Sequence, residues 1–250
     1  MSDSQFTVLA PHYDELMQVV PYDAWVDYVL LLFSNVEHDA KKLLDCACGT
    51  GNVSFELAKC EIEVTGVDIA PDMIRIAREK AARLGDKTRF FEADLATFDL
   101  NEKFDSATCL YDSLNYILDP QTLRAAFSRI AAHLESGGVF VFDMNSDFAL
   151  QADLFTQSNF DPLKNLHYDW QATYHPPTRI TDVAMRFERR DAAGNSEVFT
   201  ETHRERAYEI EEVGALLRET GWEILKTYDA YTLNLPHKAS ERWFFVARKK

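Results

Sequence analysis

Apolar residues at strand spacing alternate with helical stripes through roughly the first 145 positions of the chain. Five apolar runs predict strands, at 42–48, 63–68, 88–92, 104–110 and 139–142. Four amphipathic segments predict helices, at 24–34, 53–59, 71–84 and 121–134. Strands that alternate with helices in this way favour an α/β fold, with a parallel sheet covered by helices on both faces.

The pattern changes after the last of these strands. Tyr168, Trp170 and Tyr174 alternate with polar residues, and a second alternation covers 183–187. The run Asp-Ala-Ala-Gly-Asn at 191–195 is typical of a hairpin loop. We therefore expect a three-stranded antiparallel meander here, inserted into the α/β domain, whose aromatic face packs on that domain.

The α/β pattern then resumes with a helical stripe at 210–217 and two strands, 222–228 and 242–248. A loop without a helix joins these two strands, so they should pair antiparallel. The predicted organisation is a core built from 1–149 and 209–250, with a lid at 150–208.

Charge narrows the choice of partners. The formal net charge is −15, which disfavours nucleic acid and anionic membranes because both repel an acidic surface. The first residues do not resemble a signal peptide, and the apolar run at 29–33 is too short to span a bilayer. The four cysteines are expected to be reduced, and Cys46 and Cys48 have no second Cys/His pair for a metal. The sequence predicts a cytoplasmic protein without a metal site.

The strongest chemical signal is a glycine turn after the first strand, Asp45-Cys-Ala-Cys-Gly49-Thr-Gly51. Glycine lets a backbone approach a ligand closely, and open α/β sheets bind ligands at this edge. Asp68 ends the next strand, where a carboxylate can accept hydrogen bonds from a ribose diol. The pair predicts a nucleoside cofactor. A nicotinamide dinucleotide is disfavoured because Ser54 stands where the third glycine of its motif belongs, and because Asp45 suits a cationic group better than a pyrophosphate.

The segments around these residues resemble the class I S-adenosylmethionine-dependent methyltransferases. Asp45 to Gly51 matches the first motif of the family, with Ala47 where glycine is usual; alanine is tolerated there if its φ is negative. Asp68 matches the second motif, Asp94 the third, and the strand 104–111 the fourth. The resemblance implies a Rossmann-like, mostly parallel seven-stranded sheet with an antiparallel last strand. It also implies S-adenosyl-L-methionine as cofactor, with Asp94 receiving the adenine amino group.

A narrower resemblance is to the small-molecule branch of this family, which carries an antiparallel lid and an N-terminal cover. It implies a cover that includes Tyr13, Tyr22 and Trp25. The cofactor contacts expected from both resemblances are Tyr13, Tyr22, Trp25, Asp45, Ala47, Gly49, Gly51, Asp68, Ile69, Met73, Asp94, Leu95 and Leu110.

Methyl transfer from a sulfonium mainly requires orientation of the acceptor, and a base only where the acceptor must lose a proton. The catalytic candidates are Tyr111, Asn145 and His203. Tyr111 and Asn145 follow strands at the reaction edge, and His203 lies on a lid strand where a half-exposed side chain is expected. The expected acceptor is a small molecule, most readily an amine. A protein or tRNA acceptor and a non-catalytic cofactor-binding protein stay open, as does the choice between monomer and homodimer.

Overall fold

The computed structural model describes residues 5–152, 154–161, 165–190 and 195–250. Two N-terminal helices, α1 (Ala10–Leu16) and α2 (Tyr22–Ser34), precede the first strand. The α/β core follows as β1 (Lys42–Cys46), α3 (Asn52–Lys59), β2 (Glu63–Asp68), α4 (Pro71–Leu84), β3 (Arg89–Glu92), β4 (Phe104–Cys109), a 3₁₀ turn (Ser113–Tyr116), α5 (Pro120–His133) and β5 (Leu134–Asn145).

The rest of the chain forms the lid and closes the core. The lid region contains α6 (Asp147–Gln151), β6 (Gln157–Asn159), β7 (Leu166–His175), β8 (Ile180–Arg190) and β9 (Ser196–Arg206). The core resumes with α7 (Ile210–Glu219), β10 (Trp222–Asp229) and β11 (Arg242–Lys249).

The main sheet has seven strands in the order β10-β11-β5-β4-β1-β2-β3. Its pairings are parallel except where β11 pairs with β5 and with β10. The expected fold class is therefore confirmed, including the antiparallel last strand. This order places β1 and β4 side by side, so the ends of both strands open onto one edge of the sheet.

Apolar side chains bury both faces of this sheet. One core cluster includes Phe104, Phe127, Phe142 and Trp222, and a second joins α2 to the other face through Val29 and Leu32. The periodic positions that predicted the helices are the ones that pack here. None of the helices in the described ranges is long and apolar enough to cross a membrane.

The lid sheet differs from the expected meander, since it has four strands in the order β6-β7-β8-β9. The added strand, β6, has only three residues, too few for an alternating pattern to reveal it. The predicted loop at 191–195 falls largely on 191–194, which lie outside the described residues, but β8 and β9 pair antiparallel on either side of it. Tyr168 and Trp170 pack with Leu9 of the N-terminal segment, in the expected inward direction.

Candidate functional site

The turn from β1 into α3 contains three residues with left-handed backbone. Ala47, Gly49 and Gly51 have φ values of 54°, 55° and 83°. The expectation of a negative φ at Ala47 is therefore wrong, because the chain leaves β1 at Cys46 and reverses at once. A left-handed conformation costs an L-residue about 1–2 kcal/mol, so the backbone at Ala47 is strained.

The two glycines of the turn have different structural roles. A Cβ placed on Gly51 would lie 2.7 Å from Phe90 and 3.1 Å from Phe55, so Gly51 is needed for packing. A Cβ placed on Gly49 would meet nothing within 4 Å. Gly49 therefore borders open space at the sheet edge, as a backbone that cradles a ligand should.

Asp68 connects the end of β2 to this turn. Its carboxylate accepts hydrogen bonds from the backbone N–H of Gly49 and of Ala70, both at 2.8 Å. Burial raises the pKa of Asp68 although both bonds favour the ionised form. The second-strand carboxylate and the glycine turn thus form one unit.

Asp45 lies beneath the turn and is 2% exposed. Its carboxylate accepts hydrogen bonds from the hydroxyls of Ser54 and Thr108. Burial raises its pKa to about 6. Both oxygens thus have partners inside the protein, so Asp45 connects α3 to β4 beneath the ligand space.

The other expected cofactor residues fall into two groups. Ile69 is 66% exposed and Asp94 is exposed, so both are free to meet a ligand. Met73, Leu95 and Leu110 are buried core side chains. Their side chains pack beneath the edge.

The N-terminal cover is held on the turn by a cluster that we call the Asp14 clasp. The Asp14 carboxylate accepts bonds from Thr50 Oγ1 at 2.6 Å, Asn52 Nδ2 at 3.0 Å and Lys80 Nζ at 2.8 Å. Burial alone would raise the pKa of Asp14, but the bonds from Lys80, Thr50 and Asn52 lower it on balance. The clasp joins α1, the glycine turn and α4.

Aromatic side chains close the site beside the clasp. Trp25 lies against Tyr111, with ring centroids 5.1 Å apart, and also contacts Tyr22 and Tyr231. The side chains of Tyr13, Tyr111 and Tyr116 are half-buried beside these rings. The structure therefore brings Tyr13, Tyr22, Trp25 and Tyr111 together.

The turn after β4 is fixed by a buried ion-pair cluster. Tyr111 and Asp112 both have positive φ, and their N–H groups donate to the Asp143 carboxylate at 2.7 and 3.0 Å. The Arg242 guanidinium pairs with both Asp143 and Asp112. These two carboxylates around one cation leave the cluster with an excess negative charge when both are ionised.

Asn145 extends this cluster towards the lid. Its Nδ2 donates to Glu205 Oε2 at 2.8 Å, and burial raises the pKa of Glu205 well above its ordinary value. Asn145 and Arg242 border a cavity of about 390 Å³, together with Asp229, Tyr231 and Glu241. Apart from Arg242, the charged side chains bordering this cavity within the described chain are acidic.

His203 is not half-exposed as expected but 1% exposed. It lies on the lid face that packs on the core, because it pairs with the inward-facing Val183. Its Nδ1 lies 3.1 Å from the Tyr116 hydroxyl, and its Nε2 lies 2.9 Å from Glu201 Oε1. The structure thus places His203 against the end of β4 rather than at the surface.

The charged residues that organise this site were not among the candidates that the sequence pattern predicted: Asp14, Lys80, Glu201, Glu205 and Arg242. One signal was available, because Glu201, His203 and Glu205 are two residues apart and must share one face of a strand. The others come together only through distant elements.

Comparisons with known proteins agree with this geometry. A family model described as a methyltransferase domain matches residues 43–138. The chain is 34% identical over 242 residues to a candidate methyltransferase of Geobacillus sp. (strain WCH70), a match that spans 95% of this chain and 96% of that protein. The crystal structure of an S-adenosylmethionine-dependent methyltransferase from Clostridium acetobutylicum ATCC 824 aligns with a TM-score of 0.86 at 30% identity, over 98% of this chain and 99% of that one.

A shorter match concerns an enzyme of amino-sugar chemistry. Over 105 residues, 42% of this chain and 43% of the relative, the chain is 35% identical to a dTDP-3-amino-3,4,6-trideoxy-alpha-D-glucopyranose N,N-dimethyltransferase of Streptomyces venezuelae.

Proposed function

Because the chain belongs to the S-adenosylmethionine-dependent methyltransferases, we propose that it methylates the nitrogen of a small-molecule amine enclosed by residues 150–208. The observation that carries this proposal is the excess of buried carboxylates at the reaction edge. Asp112 and Asp143 share the one cation that the described residues place between them, Arg242, and Glu205 adds a third carboxyl that a nearby cation would help to ionise. An ammonium group of the acceptor at this edge would relieve the excess, whereas an anionic group there would worsen it.

The residues around the glycine turn fit the methyl donor. The open space beside Gly49 suits its methionine portion, Asp68 suits the ribose diol, and Ile69 and Asp94 suit the adenine. When bound, S-adenosylmethionine supplies a methyl carbon on a positively charged sulfur, which needs no further activation. What remains for the protein is to orient the acceptor and to exclude water.

The lid and the cover supply this enclosure. Glu201 on β9 accepts hydrogen bonds from the N–H groups of Phe6 and Leu9, so the lid is tied to the N-terminal segment. The Asp14 clasp ties the same segment to the glycine turn. An enclosed space of this kind suits a small acceptor better than an RNA or a protein tail, which needs an open groove. The accessible thiol of Cys60 fits the reducing cytoplasm, where we place the protein.

The test is methyl transfer from isotopically labelled donor into a cell extract that has been fractionated by size. Label in the small-molecule fraction supports the proposal. Amino sugars carried on dTDP form the first panel of defined acceptors, because part of the chain is similar to an N,N-dimethyltransferase that is named for such a sugar. Label confined to protein or RNA contradicts it. Binding of the donor without any transfer would instead favour a cofactor-binding protein.

A further inference from the structure

Three side chains form a continuous hydrogen-bonded chain between the end of β4 and the lid. The Tyr116 hydroxyl lies 3.1 Å from His203 Nδ1, and His203 Nε2 lies 2.9 Å from Glu201 Oε1. Glu201 is in turn held by the N–H groups of Phe6 and Leu9. The Phe6 ring covers the chain, with centroids 4.4 Å from His203 and 5.3 Å from Tyr116.

The direction of each bond follows from its partners. Burial raises the pKa of Glu201, but the bonds from His203 and from the Leu9 and Phe6 N–H groups lower it on balance, so Glu201 is ionised and can only accept. When His203 is in its neutral form, its proton must lie on Nε2, which leaves Nδ1 as an acceptor. The Tyr116 hydroxyl therefore donates to Nδ1, and its own oxygen keeps lone pairs free to accept another proton.

The Tyr116 side chain lies beside the turn that follows β4. Tyr116 ends the 3₁₀ turn that follows β4, deep in the fold yet with accessible surface. The titratable groups that face it are Tyr13 of α1, Tyr111 and Asp112 of the β4 turn, and Glu205 of β9. The Arg242 guanidinium in this region is already paired with Asp112 and Asp143.

We infer that Tyr116, His203 and Glu201 form a proton relay that removes a proton from the acceptor ammonium. The ammonium N–H bond breaks as its proton moves to the Tyr116 oxygen, and the Tyr116 proton moves to His203 Nδ1. The amine is left neutral with its lone pair free, and the imidazolium is stabilised by Glu201. Tyr116 is then a catalytic residue, while Glu201 positions His203. The inference rests on the proposed amine acceptor.

The first test needs no acceptor. Ring ¹⁵N NMR of the protein, with the His203 resonance identified by its loss in His203→Gln, should show a proton on Nε2 at neutral pH. Tyr116→Phe should shift the Nδ1 resonance, because Nδ1 loses its donor. A proton on Nδ1, or no shift in Tyr116→Phe, overturns the relay whatever the acceptor is.

The second test is the pH dependence of kcat/KM with an amine acceptor. Tyr116→Phe should lower kcat/KM about 10²–10⁴-fold near neutral pH. The loss should shrink as the pH approaches the pKa of a free amine, about 10, because the acceptor then arrives neutral. A loss that is the same at every pH means a structural role and overturns the inference.

A matched control exists within the lid. His175 also pairs with a carboxylate, Asp182 at 3.0 Å, but is exposed. His175→Gln should leave kcat/KM within about twofold, whereas His203→Gln should lose the same pH-dependent factor as Tyr116→Phe. If no amine is methylated at all, the proposed function fails. The tautomer of His203 still tests whether the bonds between Tyr116, His203 and Glu201 have the directions inferred here.

Discussion

Gly49 and Gly85 offer a matched pair of glycines for testing the cofactor cradle. Both have left-handed backbone, with φ of 55° and 66°, and a Cβ on either would meet nothing within 4 Å. Only Gly49 borders the proposed ligand space, because Gly85 caps the far end of α4. Substitution of either glycine by alanine should therefore lower the free energy of unfolding by about 1–2 kcal/mol, through backbone strain alone.

The two variants should differ in affinity for the methyl donor. Gly49→Ala should weaken binding at least about tenfold, or 1.4 kcal/mol, since its methyl group enters the ligand space. Gly85→Ala should stay within about twofold. Calorimetric titration with the demethylated donor gives both values, and equal affinities would mean that the turn serves folding only.

Asp68 is the second residue whose role can be isolated. Asp68→Ala removes a charged acceptor that we assign to the ribose, and it also frees the Gly49 N–H. Bonds to a charged acceptor contribute about 1.5–3 kcal/mol each, so the loss of affinity should exceed tenfold. Glu92 ends the neighbouring strand β3 with an exposed carboxylate and supplies the control. If Glu92→Ala and Asp68→Ala bind the donor equally well, the ribose assignment is wrong.

At the scale of elements, the periodic segments were predictable and the short ones were not. Helix α4 was predicted within its observed bounds, because its proline and glycine mark both ends. Helices α1 and α6, with seven and five residues, are too short for a helical stripe. Strand β6 has three residues and depends on its pairing with β7. Such segments adopt their structure through tertiary contacts, which a single sequence does not display.

The same limit applies to the site. Asp45 and Asp68 lie on adjacent strands and Gly49 on the turn after the first of them, at a spacing that the sequence reveals, so their convergence could be predicted. Arg242 and Asp112 are 130 positions apart in the chain, and no local sequence pattern predicts that they pair. His203 was found on its strand, but its burial depends on how the lid packs against the N-terminal segment.

The Asp14 clasp connects secondary-structure elements, because it fixes α1 on the glycine turn. Lys80→Met should loosen α1 and speed dissociation of the methyl donor about three- to tenfold, as expected for a charge-assisted bond that is partly exposed. Arg75→Met is the control, since Arg75 lies on the same helix and pairs with Asp72 and Glu79 of that helix. Stopped-flow dissociation measures both variants, and identical rates would exclude a role for the clasp in retaining the ligand.

The clasp also has a predicted pH dependence. The pKa of Asp14 is lowered in the folded protein, so its contribution is present above the ordinary carboxyl range and is lost as the pH falls through the lowered value. Protection of α1 against hydrogen exchange should therefore hold from neutral pH down to about 4.

At the scale of the whole molecule, burial of carboxylates should give the protein an acid-shifted stability optimum. Burial raises the pKa of Asp45 to about 6, and also raises those of Asp68, Asp143 and Glu205. A carboxyl with a raised folded pKa binds more protons when folded than when unfolded. Its contribution is present at low pH and is lost as the pH rises through the folded value.

The free energy of unfolding should consequently fall as the pH rises from about 4 to about 7. Asp45 alone, whose pKa is raised from 3.8 to about 6, disfavours the ionised folded state by roughly 3 kcal/mol over its full titration. Repulsion within a chain of net charge −15 acts in the same direction, but salt screens it.

Urea unfolding at both pH values, in about 0.1 M and about 1 M salt, separates the two causes. Asp45→Asn should reduce the difference that persists in high salt, because asparagine cannot ionise in the buried position of Asp45. A pH dependence that vanishes completely in high salt would place its origin in the surface charge and not in the buried carboxylates.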